Sequence, residues 1–239
     1  MPTTILKFIN KYFFICFIYL SFYNQNLYAS KEPIIRVLIA KEKKLRIRSD
    51  SNIPLIVKYK KLIKEDVKGI TLTKDRDSIK LFFDKNKSKF YEIERDKGLL
   101  IKSNDKRGIW VGGKRYSGLI NIKNLKNKIL VVNILGIEKY LTSVVGSEMP
   151  HKWPLEALKA QAIASRTYAL KKTGNDLYDI DSTQKDQVYN GLESNTYKTS
   201  KAVKYTRSLV ITHKNKLINA LFHSSSGGIT ENSEDVWSN

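Results

Sequence analysis

Cysteine is almost absent from this chain of 239 residues, which contains only Cys16. One cysteine cannot form an internal disulfide or supply the thiolate ligands of a structural zinc site. Histidine is nearly as rare, and the three copies, His151, His213 and His223, are not spaced like the ligands of known metal motifs. The sequence therefore predicts neither a metal site nor a cofactor.

Acidic residues are also scarce, because 23 Asp and Glu face 43 Lys and Arg, which gives a formal net charge of +20. So strong a positive field favours an anionic partner. No nucleic-acid-binding motif is visible, so peptidoglycan, anionic wall polymers or acidic membrane surfaces fit better than nucleic acid. The basic residues are spread along the whole chain, so a purely compositional origin of the charge stays equally open.

No apolar run is long enough to span a bilayer comfortably. The longest, residues 12–22, follows Lys7 and Lys11 and precedes the small residue Ala29. This layout is typical of a secretory signal peptide over residues 1–29. We therefore expect an exported protein of the periplasm or cell envelope. An uncleaved signal anchor is left open as its only contact with a membrane.

Residues 30–107 show no helical period, and their short apolar runs alternate with polar turns. Alternation of this kind predicts a β-rich N-terminal module with a sandwich or barrel-like form. Its role is open between a packing platform and a wall-binding surface. The expected strands lie near residues 34–39, 45–49, 54–57, 69–73, 79–83, 90–93 and 98–101.

Residues 108–239 mix turns, hairpins and helices. We expect a turn-rich bridge over 108–118 and a hairpin from residues 119–122 and 129–135. A short helix from Ser194 to Tyr205 should follow later, and then a second hairpin from 208–212 and 217–222. The whole chain is thus predicted to be α+β, with a helix–turn–helix at its centre.

The central stretch 136–170 predicts two helices joined by a stiff turn. Gly146 is expected to end the first helix, and Pro154 to begin the second. Pro150 disfavours a helical conformation at Met149, so Glu148 is expected in the turn. The first helix carries its apolar residues at helical spacing; they are Ile137, Tyr140, Leu141, Val144 and Val145.

Arg166 lies in the middle of the apolar stripe of the second helix. Arginine is rarely buried without a partner. One interpretation is that Arg166 reaches the edge of the stripe or bonds to backbone carbonyls. The other is that it faces a cleft shared with Glu148.

Three blocks of sequence, which follow one another along the chain, resemble the SpoIID/LytB family of cell-wall proteins. The first contains Ser-Glu-Met-Pro at 147–150, Trp-Pro at 153–154 and Ala-Gln-Ala at 160–162. The second covers 181–184 and 187–189, and the third covers 223–228, 230–232 and 234–237. The resemblance implies a SpoIID-like core over residues 108–239. Because the family pattern continues further, we expect this core to be truncated at its C-terminal end.

The resemblance implies a lytic transglycosylase that cleaves peptide-stripped glycan strands of peptidoglycan. Glu148 matches the catalytic glutamate and would serve as acid and then as base, leaving 1,6-anhydro-N-acetylmuramic acid ends. The alternative is a non-catalytic wall-binding protein that enhances an N-acetylmuramoyl-L-alanine amidase. A third interpretation is an adhesin for anionic polymers. The predicted partners are therefore glycan strands and, in the second case, a cell-wall amidase.

Further side chains are expected to bind the substrate around Glu148. Arg166, which matches a family arginine, would hold the lactyl carboxylate or another substrate oxygen. The serines beside His223 do not form a nucleophile elbow, so we interpret 223–228 as a substrate-binding loop. Tyr189 is equally compatible with a place in the core. The predicted binding residues are Arg166, Gln184, Tyr189, His223, Ser224, Ser226 and Gly227.

Overall fold

The structure is a computed structural model that describes residues 32–50, 53–94, 98–174, 176–225, 227–232 and 235. The expected signal peptide, Ser226 and Trp237 lie outside the described residues. Within the described ranges, no helix combines the length and apolar character needed to cross a membrane. From Pro33 onward the described residues form one compact unit.

Most of the alternating segments form strands, as expected. In β2, for example, Leu45 and Ile47 are buried while Lys44 and Arg46 are exposed. The strand Leu62–Val67 was not expected, because most of its side chains are exposed and show no alternation. The strands of this part are β1 (Ile34–Glu42), β2 (Lys44–Arg48), β3 (Leu55–Tyr59), β4 (Leu62–Val67), β5 (Gly69–Asp75), β6 (Ser78–Phe83), β7 (Asn86–Ile93) and β8 (Leu99–Ser103).

The expected turn-rich bridge at 108–118 contains a hairpin instead. Its strands are β9 (Ile109–Val111) and β10 (Lys114–Tyr116), which pair antiparallel. Gly112 has a φ of +62°, a conformation that glycine adopts without strain, so the chain reverses within two residues. The next hairpin, β11 (Leu119–Asn124) and β12 (Ile129–Gly136), confirms the prediction.

All but two of the described strands form two sheets that pack around one core. The larger has the order β13-β1-β12-β11-β8-β3-β4, in which the short β13 (Ile180–Asp181) runs parallel to β1. The other has the order β10-β9-β2-β5-β6-β7. Val37 and Ile101 of the first sheet and Ile47 and Leu81 of the second belong to one buried cluster. Both sheets contain strands from either side of residue 107, so the residues before and after this position share one core. The expected module boundary at residue 107 stays a prediction.

The central strand β12 positions the first helix. Its consecutive residues Val131 and Val132, which point to opposite faces of the sheet, are both buried and belong to different apolar clusters. The strand is therefore covered on both faces. β12 passes directly into the helix that begins at Ile137. The helix is therefore anchored to the core by covalent continuity as well as by packing.

Three α-helices complete the described fold, and the α+β prediction is confirmed. They are α1 (Ile137–Glu148), α2 (Leu155–Lys172) and α3 (Tyr197–Tyr205), with a 3₁₀ turn at Gly191–Ser194. The expected apolar residues of α1 are all buried. β14 (Thr212–His213) and β15 (Lys216–Leu217) form a shorter hairpin than the one expected over 208–222.

Three predicted helix boundaries were wrong. Helix α1 continues through Gly146 to Glu148, and Met149 ends it in an extended conformation because Pro150 follows. Pro154 is the residue before α2 instead of its first residue. Helix α3 is capped by Thr196, whose side chain accepts from the Thr199 amide, while Ser194 lies in the 3₁₀ turn.

Gly146 is explained by close packing instead of helix termination. A Cβ atom at this position would lie 2.0 Å from the carbonyl oxygen of Ser194. Only glycine therefore lets the 3₁₀ turn approach α1 this closely. The contact brings the turn against the last turn of the helix, where Glu148 is located.

Candidate functional site

Arg166 is a fully engaged internal side chain with 1% exposure. Its Nε and Nη2 atoms donate to the two carboxylate oxygens of Glu138 at 3.0 and 2.7 Å. Its remaining donors reach the carbonyls of Leu209 at 3.1 Å, Val203 at 3.4 Å and Ala162 at 3.5 Å. A guanidinium has five N–H donors, and these contacts occupy all of them.

The structure therefore corrects the expectation that Arg166 and Glu148 share a cleft. Glu138 and Glu148 are ten residues apart on α1, which corresponds to about 15 Å along the helix axis. Arg166 is bound at the Glu138 end. The other interpretation is correct only in part, because Arg166 does bond to backbone carbonyls but does not reach the edge of the stripe. Its ion pair with Glu138 was not predicted.

Glu148 is half-buried at the last position of α1. Burial raises the pKa of its carboxyl group, and the opposing effect of the Val188 amide leaves the pKa above its ordinary value. That amide donates to Oε1 at 2.6 Å. Among the described residues, no donor contacts Oε2 and no cation contributes to the shift. One oxygen is thus anchored, while the other is open to a ligand.

The Val188 amide is held in place by its neighbour Gln187, which is fully buried. The Gln187 Oε1 atom accepts from the Tyr140 hydroxyl at 3.0 Å, and its Nε2 donates to the Ser165 carbonyl at 3.3 Å. Because Tyr140 lies on α1 and Ser165 on α2, Gln187 ties both helices to residues 187–190. We refer to these four residues as the 187–190 segment.

Tyr189 is part of the core, with 3% exposure. Its ring packs at centroid distances of 5.7 Å from Tyr116 and 5.2 Å from Tyr140. Its hydroxyl donates to Asn133 Oδ1 at 2.7 Å, and burial raises its pKa far above the ordinary value. The structure thus corrects the prediction that Tyr189 binds substrate, because its side chain is enclosed in the core.

A chain of polar side chains crosses the surface beside Glu148. Lys114 Nζ donates to Asn190 Oδ1 at 2.7 Å, and Asn190 Nδ2 donates to Ser147 Oγ at 3.2 Å. The Ser147 hydroxyl in turn donates to Ser194 Oγ at 2.9 Å. These contacts connect the β9–β10 hairpin, the 187–190 segment, α1 and the 3₁₀ turn.

Asp186 orders the turn that precedes the 187–190 segment. It accepts from the Asp181 amide at 2.8 Å and from the Tyr168 hydroxyl at 2.7 Å. Burial alone would raise the pKa of Asp186, but these bonds and Lys172 lower it below its ordinary value. Gln184 is exposed on the same turn, so its predicted role in binding is neither supported nor contradicted by a contact.

The predicted loop at 223–228 is exposed where the structure describes it. His223, Ser224 and Gly227 are exposed, and His223 Nδ1 lies 2.9 Å from the carbonyl oxygen of Ser225 in the same loop. Ser226 is outside the described residues. The loop's role in binding stays a prediction.

Metal-ligating side chains are not clustered around Glu148. Within the part of the chain that the structure describes, no three His, Cys, Asp or Glu side chains are grouped to hold a metal ion. The linings of four of the described surface grooves, with volumes of 420 to 570 Å³, do not include Glu148.

Sequence reasoning missed the residues that build this site. It named Glu148 but assigned no role to Gln187, Asn190 or Lys114. A signal existed for the first of these, because the resemblance included Gln-Val-Tyr at 187–189. No pattern in the sequence connects Lys114 with Asn190, which are 76 residues apart.

Comparison with known proteins agrees with the resemblance seen in the sequence. Residues 125–213 match the family model described as SpoIID, Stage II sporulation protein. This range contains α1, α2, Glu148 and the 187–190 segment.

Three relatives show how far the similarity extends. An uncharacterized protein of Brachyspira hyodysenteriae (strain ATCC 49526 / WA1) is 39% identical over 144 residues, or 59% of this chain and 39% of the relative. The amidase enhancer of Bacillus subtilis (strain 168) is 42% identical over 132 residues, or 54% of this chain and 18% of the relative. Stage II sporulation protein D of the same organism is 36% identical over 124 residues, or 44% and 36%. The chain thus spans less than half the length of each of these relatives.

Proposed function

We propose, from the premise that residues 125–213 belong to the SpoIID/LytB family, that the chain acts on the cell wall and cleaves peptidoglycan glycan strands. The reaction is a lytic transglycosylation with Glu148 as its acid and base. The proposal includes export to the cell envelope, where glycan strands are the substrate. The observation that carries it is the half-buried Glu148 carboxyl, with its raised pKa and one open oxygen.

One carboxyl group is sufficient for this reaction. Protonated Glu148 gives its proton to the glycosidic oxygen as the bond to C1 of the N-acetylmuramoyl residue breaks, and positive charge develops at C1. The resulting carboxylate takes the proton from the C6 hydroxyl of the same residue, whose oxygen then bonds to C1. The products are a shortened strand and a 1,6-anhydro end, and no water is consumed.

The two states of Glu148 need different support. The raised pKa favours the protonated form that starts the reaction. The Val188 amide stabilises the carboxylate that forms midway through the reaction, because a hydrogen bond to the charged form favours that form. Since Gln187 fixes the segment that carries this amide, the carboxyl is held ready for both steps.

Mass spectrometry of digested peptide-stripped glycan strands tests the proposal. Wild type should produce 1,6-anhydro-N-acetylmuramic acid ends, and Glu148→Gln should lower the rate by about 100-fold to 10,000-fold, the range for loss of a general acid or base. Glu156→Gln is the matched control, because Glu156 is an exposed glutamate at the start of α2. Reducing ends would indicate a hydrolase, and an unchanged rate in Glu148→Gln would refute the role of Glu148.

The second candidate is non-catalytic enhancement of a cell-wall amidase. It is favoured by the 42% identity to a protein named amidase enhancer. In this case Glu148 would serve the fold through the Val188 amide. Addition of the chain should then accelerate peptide release from cell walls by an N-acetylmuramoyl-L-alanine amidase, equally for wild type and Glu148→Gln, without any anhydro product. Acceleration that requires Glu148 would instead make cleavage part of the effect.

A further inference from the structure

The cation nearest to Glu148 along the polar chain described above is Lys114. Its side chain is exposed at the turn of the β9–β10 hairpin, and its ammonium donates to Asn190 at 2.7 Å. Asn190 donates to Ser147, the residue directly before Glu148. Two hydrogen bonds therefore separate the Lys114 ammonium from the end of the helix that carries the proposed acid.

The hairpin that carries Lys114 is fastened to the site. The neighbouring Arg115 contacts Glu193 twice, from its amide at 3.1 Å and from its Nε at 2.7 Å. Glu193 belongs to the 3₁₀ turn, which also contacts Ser147 through Ser194. The hairpin backbone that carries Lys114 is thus held in place, and the bond to Asn190 orients the lysine side chain. Less conformational entropy is therefore lost when Lys114 binds a ligand.

The ammonium has capacity for a ligand. A lysine side chain has three N–H donors, and within the described residues the Asn190 oxygen accepts one of them. Lys114 also makes no contribution to the pKa of Glu148, so it does not hold that carboxyl ionised. By contrast, every donor of Arg166 is used within the fold.

We propose that Lys114, oriented by Asn190, binds the lactyl carboxylate of the N-acetylmuramoyl residue being cleaved. This inference rests on the proposed function, since it concerns the same substrate. In a peptide-stripped strand the lactyl group ends in a free carboxylate, whereas in a peptide-bearing strand it is a neutral amide. A cation tethered two hydrogen bonds away from the helix end that carries the acid would therefore distinguish the two kinds of strand by charge.

Binding without turnover tests this assignment. The probes are short peptide-stripped strands with a fluorescent end label, and the same strands with their lactyl carboxylates converted to neutral methylamides. In the Glu148→Gln background, Lys114→Ala should raise the Kd for the carboxylate strands roughly 1.5-fold to fivefold, the range for an exposed charge pair. It should leave the Kd for the methylamide strands unchanged.

Two further variants separate a specific contact from general charge. Lys126→Ala removes the same charge from the exposed β11–β12 turn. It should weaken binding of the carboxylate strands only slightly and leave the neutral methylamide strands unchanged. Lys114→Arg keeps the charge and should retain the preference for carboxylate strands. Equal weakening of both probes by Lys114→Ala, or an effect of Lys126→Ala as large and as selective, would overturn the assignment.

The two proposals fail in different experiments. Absence of anhydro ends from wild-type digests would refute the lytic reaction. The binding comparison measures no product, so it decides on Lys114 whatever the digests show.

Discussion

Helix α1 carries a glutamate near each end, and the two have opposite surroundings. Glu138, in the first turn, accepts two of the hydrogen bonds that the buried Arg166 guanidinium donates. Glu148, at the last position, accepts one backbone amide and leaves an oxygen open among the described residues. The first carboxylate is committed to an internal cation, whereas the second has only a peptide dipole.

This contrast separates a structural acid from a candidate catalytic one. Both oxygens of the Glu138 carboxylate accept hydrogen bonds from the buried Arg166 guanidinium. A half-buried carboxyl without a cation has a raised pKa, as found for Glu148. The nearby cation, Lys114, contacts the segment that anchors Glu148 and not Glu148 itself. The same helix thus binds an internal cation at one end and carries a half-buried carboxyl with a raised pKa at the other.

Breaking the Glu138–Arg166 pair should give the largest loss of stability. Arg166→Met would leave Glu138 without its cation, and removal of one partner from a buried pair costs about 3–5 kcal/mol. Urea unfolding followed by circular dichroism measures the free energy of unfolding.

The matched control for this loss is Lys159→Met, which removes a partly exposed cation from α2, the helix that carries Arg166. It should change the free energy of unfolding by less than about 0.5 kcal/mol. The double variant Glu138→Leu/Arg166→Met should be more stable than Arg166→Met, because it leaves no buried charge uncompensated. A loss below about 1 kcal/mol in Arg166→Met would show that the pair is not structural.

Gly146→Ala, near the C-terminal end of α1, should give a smaller loss of stability. Helix propensity alone favours alanine by about 1 kcal/mol. The added Cβ would lie 2.0 Å from the Ser194 carbonyl oxygen, however, so the 3₁₀ turn must move. Overpacking of this kind costs about 1–3 kcal/mol, so we expect a net loss of up to about 2 kcal/mol in urea unfolding.

The Gly146 variant should also lower the rate of anhydro-end formation, because the turn braces the residues beside Glu148. Gly113→Ala, at a position where an added Cβ meets no atom within 4 Å, is the control. If Gly146→Ala proves as stable and active as wild type, the close approach of the turn has no role in the site.

The sequence predicted the elements better than the contacts between them. Alternation in β2 and the apolar spacing in α1 identified buried faces correctly, because burial on one face leaves a periodic trace. The predicted end of α1 at Gly146 was wrong because that glycine is needed for a close contact with Ser194, 48 residues later. The β9–β10 hairpin was missed because strands of three residues are too short to show alternation.

The site shows the same limit more clearly. The period of α2 placed Arg166 in a buried stripe, and this was correct. It could not show that Glu138, 28 residues earlier, lies opposite. Likewise, Glu148 was identified from its motif, but its anchor is the amide of Val188, 40 residues away. Patterns along a chain identify the face of a helix, while the partner of a charge depends on the tertiary fold.

The smallest expected effect is a change in how stability depends on pH. The raised pKa of Glu148 means that the folded protein holds a proton that the unfolded chain has already released. Stability should therefore fall as pH rises from the ordinary value of 4.5 through the raised one. Glu148→Gln removes this contribution, so its stability should be flatter across that window and within about 0.5 kcal/mol of wild type at pH 7.

Asp179 provides the opposite sign as a control. Burial would raise its pKa, but its hydrogen bonds with Arg36 lower it below the ordinary 3.8. Its contribution to stability is present above that value and is lost as pH falls through the lowered pKa. Urea unfolding from pH 3 to pH 7 should thus show Asp179→Asn changing the slope at the acid end and Glu148→Gln changing it above pH 4.5. An unchanged slope in Glu148→Gln would mean that its carboxyl titrates like an exposed glutamate, and the contrast between the two ends of α1 would then be lost.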